Sequence, residues 1–180
     1  MTQENLTVNK SLKVSKKEIL DDFLLMNVSR NISYIGRKEV FMGRAKFGVF
    51  GDGKELPQIA MSKFFRNGDF RSGYYRDQTF MMSINQLTPD QFFAQLYAHT
   101  DIKKDPHSGG RQMNCHFGTR LLNENGDWKT QTDMMNSVSD ISCVSGQMPR
   151  IVGLAYASKL YRNNKNLSDM ENFSINGNEV

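Results

Sequence analysis

Two tyrosines, an arginine and an aspartate, Tyr74, Tyr75, Arg76 and Asp77, stand together directly after Gly73. A guanidinium is a rigid fork of N–H donors that matches phosphate and carboxylate oxygens, and a phenol supplies another donor. The group therefore reads in two ways. It is a diphosphate clamp on a connection, or an aromatic pair in the core with Arg76 salt-bridged to Asp77 or another acid. A second cluster runs Ser108, Gly109, Gly110, Arg111, Gln112, Met113, Asn114, Cys115, His116. Paired glycines let a backbone approach a ligand, and His116 could move a proton near neutral pH. An ordinary surface loop is the alternative. The third, Ser142, Cys143, Val144, Ser145, Gly146 and Gln147, feeds a helix at Met148-Pro149. Its free amides suit an anion or a polar ligand edge, or form a plain cap.

Other chemistries are poorly served. Asp105, His107, Cys115 and His116 lack zinc-ligand spacing, and no second ligand pair follows. Cys115 and His116 are chain neighbours, which point apart, and no orienting acid is identifiable for a nucleophile pair. His99 reads as a C-terminal helix cation or a packed side chain. Cys115 and Cys143 read as two reduced thiols, and Met81, Met82, Met134 and Met135 as core filling.

These clusters need elements to hold them. Residues 1–14 are polar and unpatterned, a disordered arm, after which Ser15 and Glu18 give a capping-box signal. Ile19, Leu20, Phe23, Leu24, Val28, Ile32 and Ile35 then recur at helical spacing and predict an amphipathic helix to about Met42. A second helix is expected over 56–65, ended at Asn67-Gly68, and a short one over 78–85. Thr88, Pro89 and Gln91 mark a further start, with Phe92, Phe93, Leu96 and Tyr97 as the buried face. Residues 101–140 are polar and long for a structureless loop. A helix over 149–161 offers Gly153, Ala155 and Ala157 for close packing, and a strand is expected to begin near Val180.

Bulk properties set outer limits. A chain of 180 residues with 38% hydrophobic and 23% charged residues suits one globular domain. No apolar run is long enough for a bilayer and the start lacks a signal-peptide core, so the expectation is cytoplasmic, with no membrane partner. The net charge of +4 permits a polyanionic partner. Yet Lys16, Lys17, Arg30, Arg37, Lys38, Arg44 and Lys46 are interleaved with acids and apolar residues, which favours solvated faces over nucleic-acid binding.

Taken in series, GYYRD at 73–77, TPDQFFAQLYAHT at 88–100, SGGRQMNCHFGT at 108–119 and ISCVSGQMPRIVGLAYASK at 141–159 resemble a known family. It is the alpha section of the thiamine diphosphate-dependent 2-oxo acid dehydrogenase decarboxylating component, in branched-chain and pyruvate-using forms. The resemblance spans residues 38–160. It implies an α/β thiamine diphosphate-binding fold, represented by its N-terminal helical part and the start of the parallel sheet. Residues 15–180 would then be a partial domain, truncated at its C-terminal end.

The resemblance implies that Tyr75 and Arg76, with Tyr74 beside them, hold the cofactor diphosphate. Ser142 and Val144 would contact the aminopyrimidine, largely through backbone groups. Arg111, Gln112 and His116 become candidates near the cofactor, with His116 the one catalytic candidate. Asn114 stands where relatives often carry proline, and Gly146 replaces a threonine of a potassium site, which weakens potassium at Gln147. The family's magnesium ligands would lie beyond the end of this chain. A beta section or subunit, a lipoyl acyltransferase component and a 2-oxo acid are the implied partners. The complete reaction is oxidative decarboxylation with acyl transfer to a lipoyl carrier, and the isolated chain is expected to be inactive. A competing reading is a non-catalytic scaffold or interaction remnant of the same family; a weaker third is a basic nucleic-acid binder.

Overall fold

Ser15 caps α1 (Lys16–Phe41): its Oγ accepts the Glu18 backbone N–H at 3.1 Å, and Glu18 sits in the first turn. The computed structural model describes residues 14–167, so most of the expected arm and the strand expected near Val180 lie outside the described residues. After α1 come α2 (Glu55–Ser62), β1 (Phe70–Arg71), α3 (Gln78–Ser83), α4 (Pro89–Leu96), β2 (Asn136–Ser137) and α5 (Gln147–Asn163). β1 and β2 run parallel, with Phe70 opposite Asn136 and Arg71 opposite Ser137. The chain is thus mixed helical with a small parallel two-stranded sheet. Among the described residues no helix is long and apolar enough to cross a membrane.

α1 buries only part of the apolar stripe read from its spacing, with Ile32 in the core and Val28 packed against it. Ile19, Leu20, Phe23, Leu24 and Ile35 are each at least 50% exposed, whereas Ser29, Ile32, Ser33, Gly36 and Glu39 are buried. Polar partners across the helix interface are the reason. Ser29 and Thr79 share a hydroxyl hydrogen bond of 2.6 Å, and Gln78 Nε2 donates to the Ser29 carbonyl at 3.0 Å and to Ser33 Oγ at 2.8 Å. A buried hydroxyl is tolerated once paired, so burial here follows hydrogen bonding. Gly36 is required by close approach, since a Cβ there would lie 2.5 Å from a Phe50 ring carbon.

α2 stops at Ser62, short of the expected end. Phe64 and Phe65 N–H groups bond three residues back, to Met61 and Ser62, which tightens the chain out of the helix. Phe65 then meets Phe80 edge-on at 5.2 Å. Asn67-Gly68 forms a separate turn whose Gly68 N–H donates to the Met134 carbonyl at 2.9 Å. At the other end, Glu55 is buried against α1. Burial alone would raise its carboxyl, but the Arg30 fork at 2.5 and 2.7 Å and nearby backbone N–H groups outweigh that and hold it below the usual range.

α4 forms as its sequence predicts. Thr88 Oγ1 accepts from Gln91 N at 3.2 Å and Gln91 Oε1 accepts from Thr88 N at 2.9 Å, with Pro89 in the first turn. Phe92 and Leu96 enter the core with Ile32, Phe80, Met81, Met82 and Phe117. Tyr97 instead stays half-exposed and donates its hydroxyl to Glu39 at 2.7 Å.

Residues 101–140 carry little regular structure yet are organised by side chains. The buried Asp105 carboxylate accepts from the backbone of His107, Ser108 and Gly110 and from Ser108 Oγ, at 2.6–3.2 Å. Asn114 accepts from Val49 N at 2.9 Å and donates to Val49 O at 2.6 Å. Such local bonds replace a ladder. α5 buries none of its residues, and nothing lies within 4 Å of a Cβ placed on Gly153, so the close packing expected there has no partner among the described residues, while Ala157 is half-buried.

Candidate functional site

The parallel pairing of β1 with β2 places Arg71 beside Ser137, and Arg71 Nη1 donates to Ser137 Oγ at 2.6 Å. Its Nη2 reaches Asp77 Oδ2 at 3.0 Å and Asp140 Oδ2 at 2.9 Å, both in a setting where the arginine side chain is 6% exposed. Asp77 Oδ2 also accepts the Tyr74 N–H at 2.8 Å, closing the turn. Gly73 is fixed by this packing: a Cβ would lie 1.7 Å from Arg71 Nη2. Asp140 Oδ2 accepts the Phe117 N–H at 3.1 Å, while Oδ1 is buried with no partner among the described residues. Burial raises the Asp140 carboxyl, against the lowering effect of Arg71.

Because Asp77 is committed to Arg71, the alternative pairing of Arg76 with Asp77 does not form. The Arg76 guanidinium is exposed, lies 5.9 Å over the Tyr75 ring, and meets no carboxylate among the described residues. Its carbonyl, by contrast, is anchored, accepting from Gln58 Nε2 at 2.9 Å. Tyr74 donates its hydroxyl to the Tyr75 hydroxyl, with ring centroids 3.9 Å apart, and that bond raises the Tyr74 phenol above its ordinary value.

His116 joins this turn to the third cluster. Its ring stacks on Tyr75 at 6.4 Å with planes 15° apart, and its Nε2 lies 2.8 Å from Ser142 Oγ. Nδ1 is 3.1 Å from the Asn114 carbonyl. Tyr75, Arg76, His116 and Ser142 are therefore brought together, from segments widely separated in sequence. Val144 is 71% exposed on the same loop. A second tie runs from Ser72 Oγ to the Gln147 carbonyl at 3.0 Å. A Cβ on Gly146 would lie 2.3 Å from Ile141 Cδ1 and 3.1 Å from the Cys143 carbonyl, so a larger residue there would have to move the Ile141 side chain.

Arg111 and Gln112 fall elsewhere. Both are exposed on the rim of a 340 Å³ cavity that Arg44, Lys46 and Tyr97 also line, and Arg111 Nη1 donates to the Ser108 carbonyl at 3.2 Å. No hydrogen bond or ring contact joins them to Tyr75 or Arg76 among the described residues. Cys115 turns into the core, where it donates to the Val49 carbonyl at 3.3 Å and burial pushes its thiol far up. No group of three or more His, Cys, Asp or Glu is gathered for a metal ion among the described residues. Arg71, Ser137 and Asp140 went unrecognised in the sequence. The only hint was a charged residue directly beside Phe70, in a segment bounded by glycines.

Together these features define a class: a mixed helical chain with a small parallel two-stranded sheet, in which the turn carrying the exposed Arg76 is tied through His116 to the loop that precedes α5. Residues 25–170 match the family described as the dehydrogenase E1 component. The chain belongs to that family, in keeping with the resemblance read from its motifs. It is 26% identical over 153 residues to the 2-oxoisovalerate dehydrogenase subunit alpha of Bacillus subtilis (strain 168), covering 84% of this chain and 41% of that protein. It is likewise 26% identical over 143 residues to the mitochondrial 2-oxoisovalerate dehydrogenase subunit alpha of Caenorhabditis elegans, covering 79% of this chain and 28% of that protein. The chain thus spans less than half the length of these curated relatives.

Proposed function

We propose that this chain forms the alpha-section wall of a thiamine diphosphate site in a decarboxylating 2-oxo acid dehydrogenase. The observation that carries the reading is Arg76: an exposed guanidinium, backed by a tyrosine ring and lacking an acidic partner among the described residues, held on a turn whose backbone is anchored. A diphosphate is the ligand this fork suits, with the Tyr75 or Tyr74 hydroxyl as a further donor. Ser142 and Val144 lie on the exposed loop where backbone groups would meet the aminopyrimidine. His116 keeps that loop and the Tyr75 ring in register through one hydrogen bond and one ring stack.

Bound there with magnesium, the coenzyme would serve as electron sink for loss of carbon dioxide from a 2-oxo acid, the acyl group passing on to a lipoyl carrier. This chain's own share is to bind and orient. The magnesium ligands and the group that activates the thiazolium would come from outside the described residues, the latter from a beta section. The names of the two relatives favour a branched 2-oxo acid over pyruvate.

Titration of thiamine diphosphate with magnesium into the full-length protein and its beta partner tests this. Arg76→Ala is expected to weaken binding by about 10- to 100-fold, the value of one or two charge-assisted hydrogen bonds. Unchanged affinity would overturn the reading. The scaffold alternative draws on the exposed apolar rows of α1 and α5, such as Phe23 and Leu24 or Val152 and Tyr156. It would prevail if the assembled protein bound no coenzyme at all.

A further inference from the structure

We propose that Arg71 is the positioning residue of this site: held by Asp77 and Asp140 at once, it sets the Tyr75 and Arg76 turn against the segment that carries Ser142. The inference rests on the clamp reading above and adds to it what holds the clamp in shape.

The geometry is a single bracket. On one side Arg71 Nη2 and Nε meet Asp77 Oδ2 at 3.0 and 3.3 Å, Nη2 lies 3.4 Å from the Tyr74 carbonyl, and the same carboxylate oxygen accepts the Tyr74 N–H. The residues between those anchors are Tyr75 and Arg76. On the other side Nη2 meets Asp140, whose carboxylate also accepts the backbone N–H of Phe117, next to His116. Asp140 precedes Ser142 by two residues, so both loops of the candidate site hang from one guanidinium. Lysine could not replace it, because one ammonium cannot reach Asp77, Asp140 and Ser137 in the planar directions of the fork.

The arrangement also explains a division of labour between two arginines. Arg71 is buried, with each of its three nitrogens donating to a protein acceptor; Arg76, five residues on, is exposed and lacks an acidic partner among the described residues. If Asp77 released Arg71 it would become a competitor for Arg76, and the clamp would be neutralised by its own neighbour. Arg71 thereby keeps Asp77 away from the anion-receiving group. Preorganisation of this kind is expressed as ligand affinity.

The test compares thiamine diphosphate binding, with magnesium, in the full-length protein and its beta partner for Arg71→Lys, Asp140→Asn, Arg76→Ala and the two double variants with Arg76→Ala. Arg71→Lys and Asp140→Asn are each expected to raise the dissociation constant roughly tenfold, within the range for coupled neighbours. The turnover rate at saturating coenzyme should stay within about twofold of the parent, since binding energy alone is lost. In the Arg76→Ala background the same changes should have a clearly smaller effect, because the principal phosphate donor is no longer there to be positioned. Full additivity with Arg76→Ala, or unchanged affinity in folded single variants, overturns the positioning role while leaving the clamp reading in place. An Arg76→Ala variant that binds normally removes the clamp reading itself. Should Arg71→Lys fail to fold, the near-isosteric Asp140→Asn decides the matter.

Discussion

The side-chain amide of Asn114 pairs with both backbone groups of Val49, accepting its N–H at 2.9 Å and donating to its carbonyl at 2.6 Å, as a neighbouring strand would. This accounts for an asparagine where the resemblance leads one to look for proline, since proline has no side chain able to make either bond. Removing the amide would strand the Val49 N–H and leave the Val49 carbonyl only the weaker Cys115 thiol as donor, in a part-buried setting. Asn114→Ala is therefore expected to lower stability by about 2–3 kcal/mol, measured by denaturant unfolding.

Gly73 answers to the Arg71 guanidinium. A methyl group there would lie 1.7 Å from Nη2, and this arginine tip cannot swing aside without leaving Asp77 and Asp140. We expect Gly73→Ala to cost about 3–5 kcal/mol, the scale for breaking a buried ion pair. An unfolding midpoint equal to that of the parent would show that the turn can relax cheaply.

Acid unfolding should proceed in two separable stages. Burial holds the His107 imidazole below its ordinary 6.5, so between that value and its lower folded one the unfolded chain binds more protons and stability falls as the pH drops. Glu39 is held down to about 2 by Arg44 and then by the Tyr97 hydroxyl, so its contribution is present above about 4.5 and is lost as the pH falls toward 2. His107→Gln should flatten the first stage only. Glu39→Gln should diminish the second only, the share of Glu55 remaining, as read from stability measured across the pH range.

The two thiols should differ sharply toward alkylation. Cys143 is exposed and Cys115 is buried with its thiol pushed up, so a thiol reagent at neutral pH is expected to modify Cys143 in the native protein and Cys115 only after unfolding. Peptide mass mapping of the labelled sites checks this.

Local signals are legible in the sequence where one segment contains the whole cause. Thr88, Pro89 and Gln91 carry every atom of their capping box, and Ser15 with Glu18 likewise starts α1. Burial is not legible where its cause lies in another segment. Apolar spacing along α1 points to Phe23 and Leu24, but the groups that meet this helix include Gln78 and Thr79, which select Ser29 and Ser33. The clamp residues were legible as a motif; the means of holding them was not. Arg71 and Asp140 are 69 positions apart, and neither has a local pattern that announces the other.

The depth of Arg71 gives this protein two classes of ion pair that respond differently to added electrolyte. Lys17 and Asp21 stand in water, with side chains 85% and 59% exposed, and counterions will screen their attraction. The Arg71 side chain is 6% exposed and Asp140 is fully enclosed, so mobile ions cannot come between them. Raising the ionic strength should strip the molecule of its outer charge contacts while the inner bracket keeps its full strength.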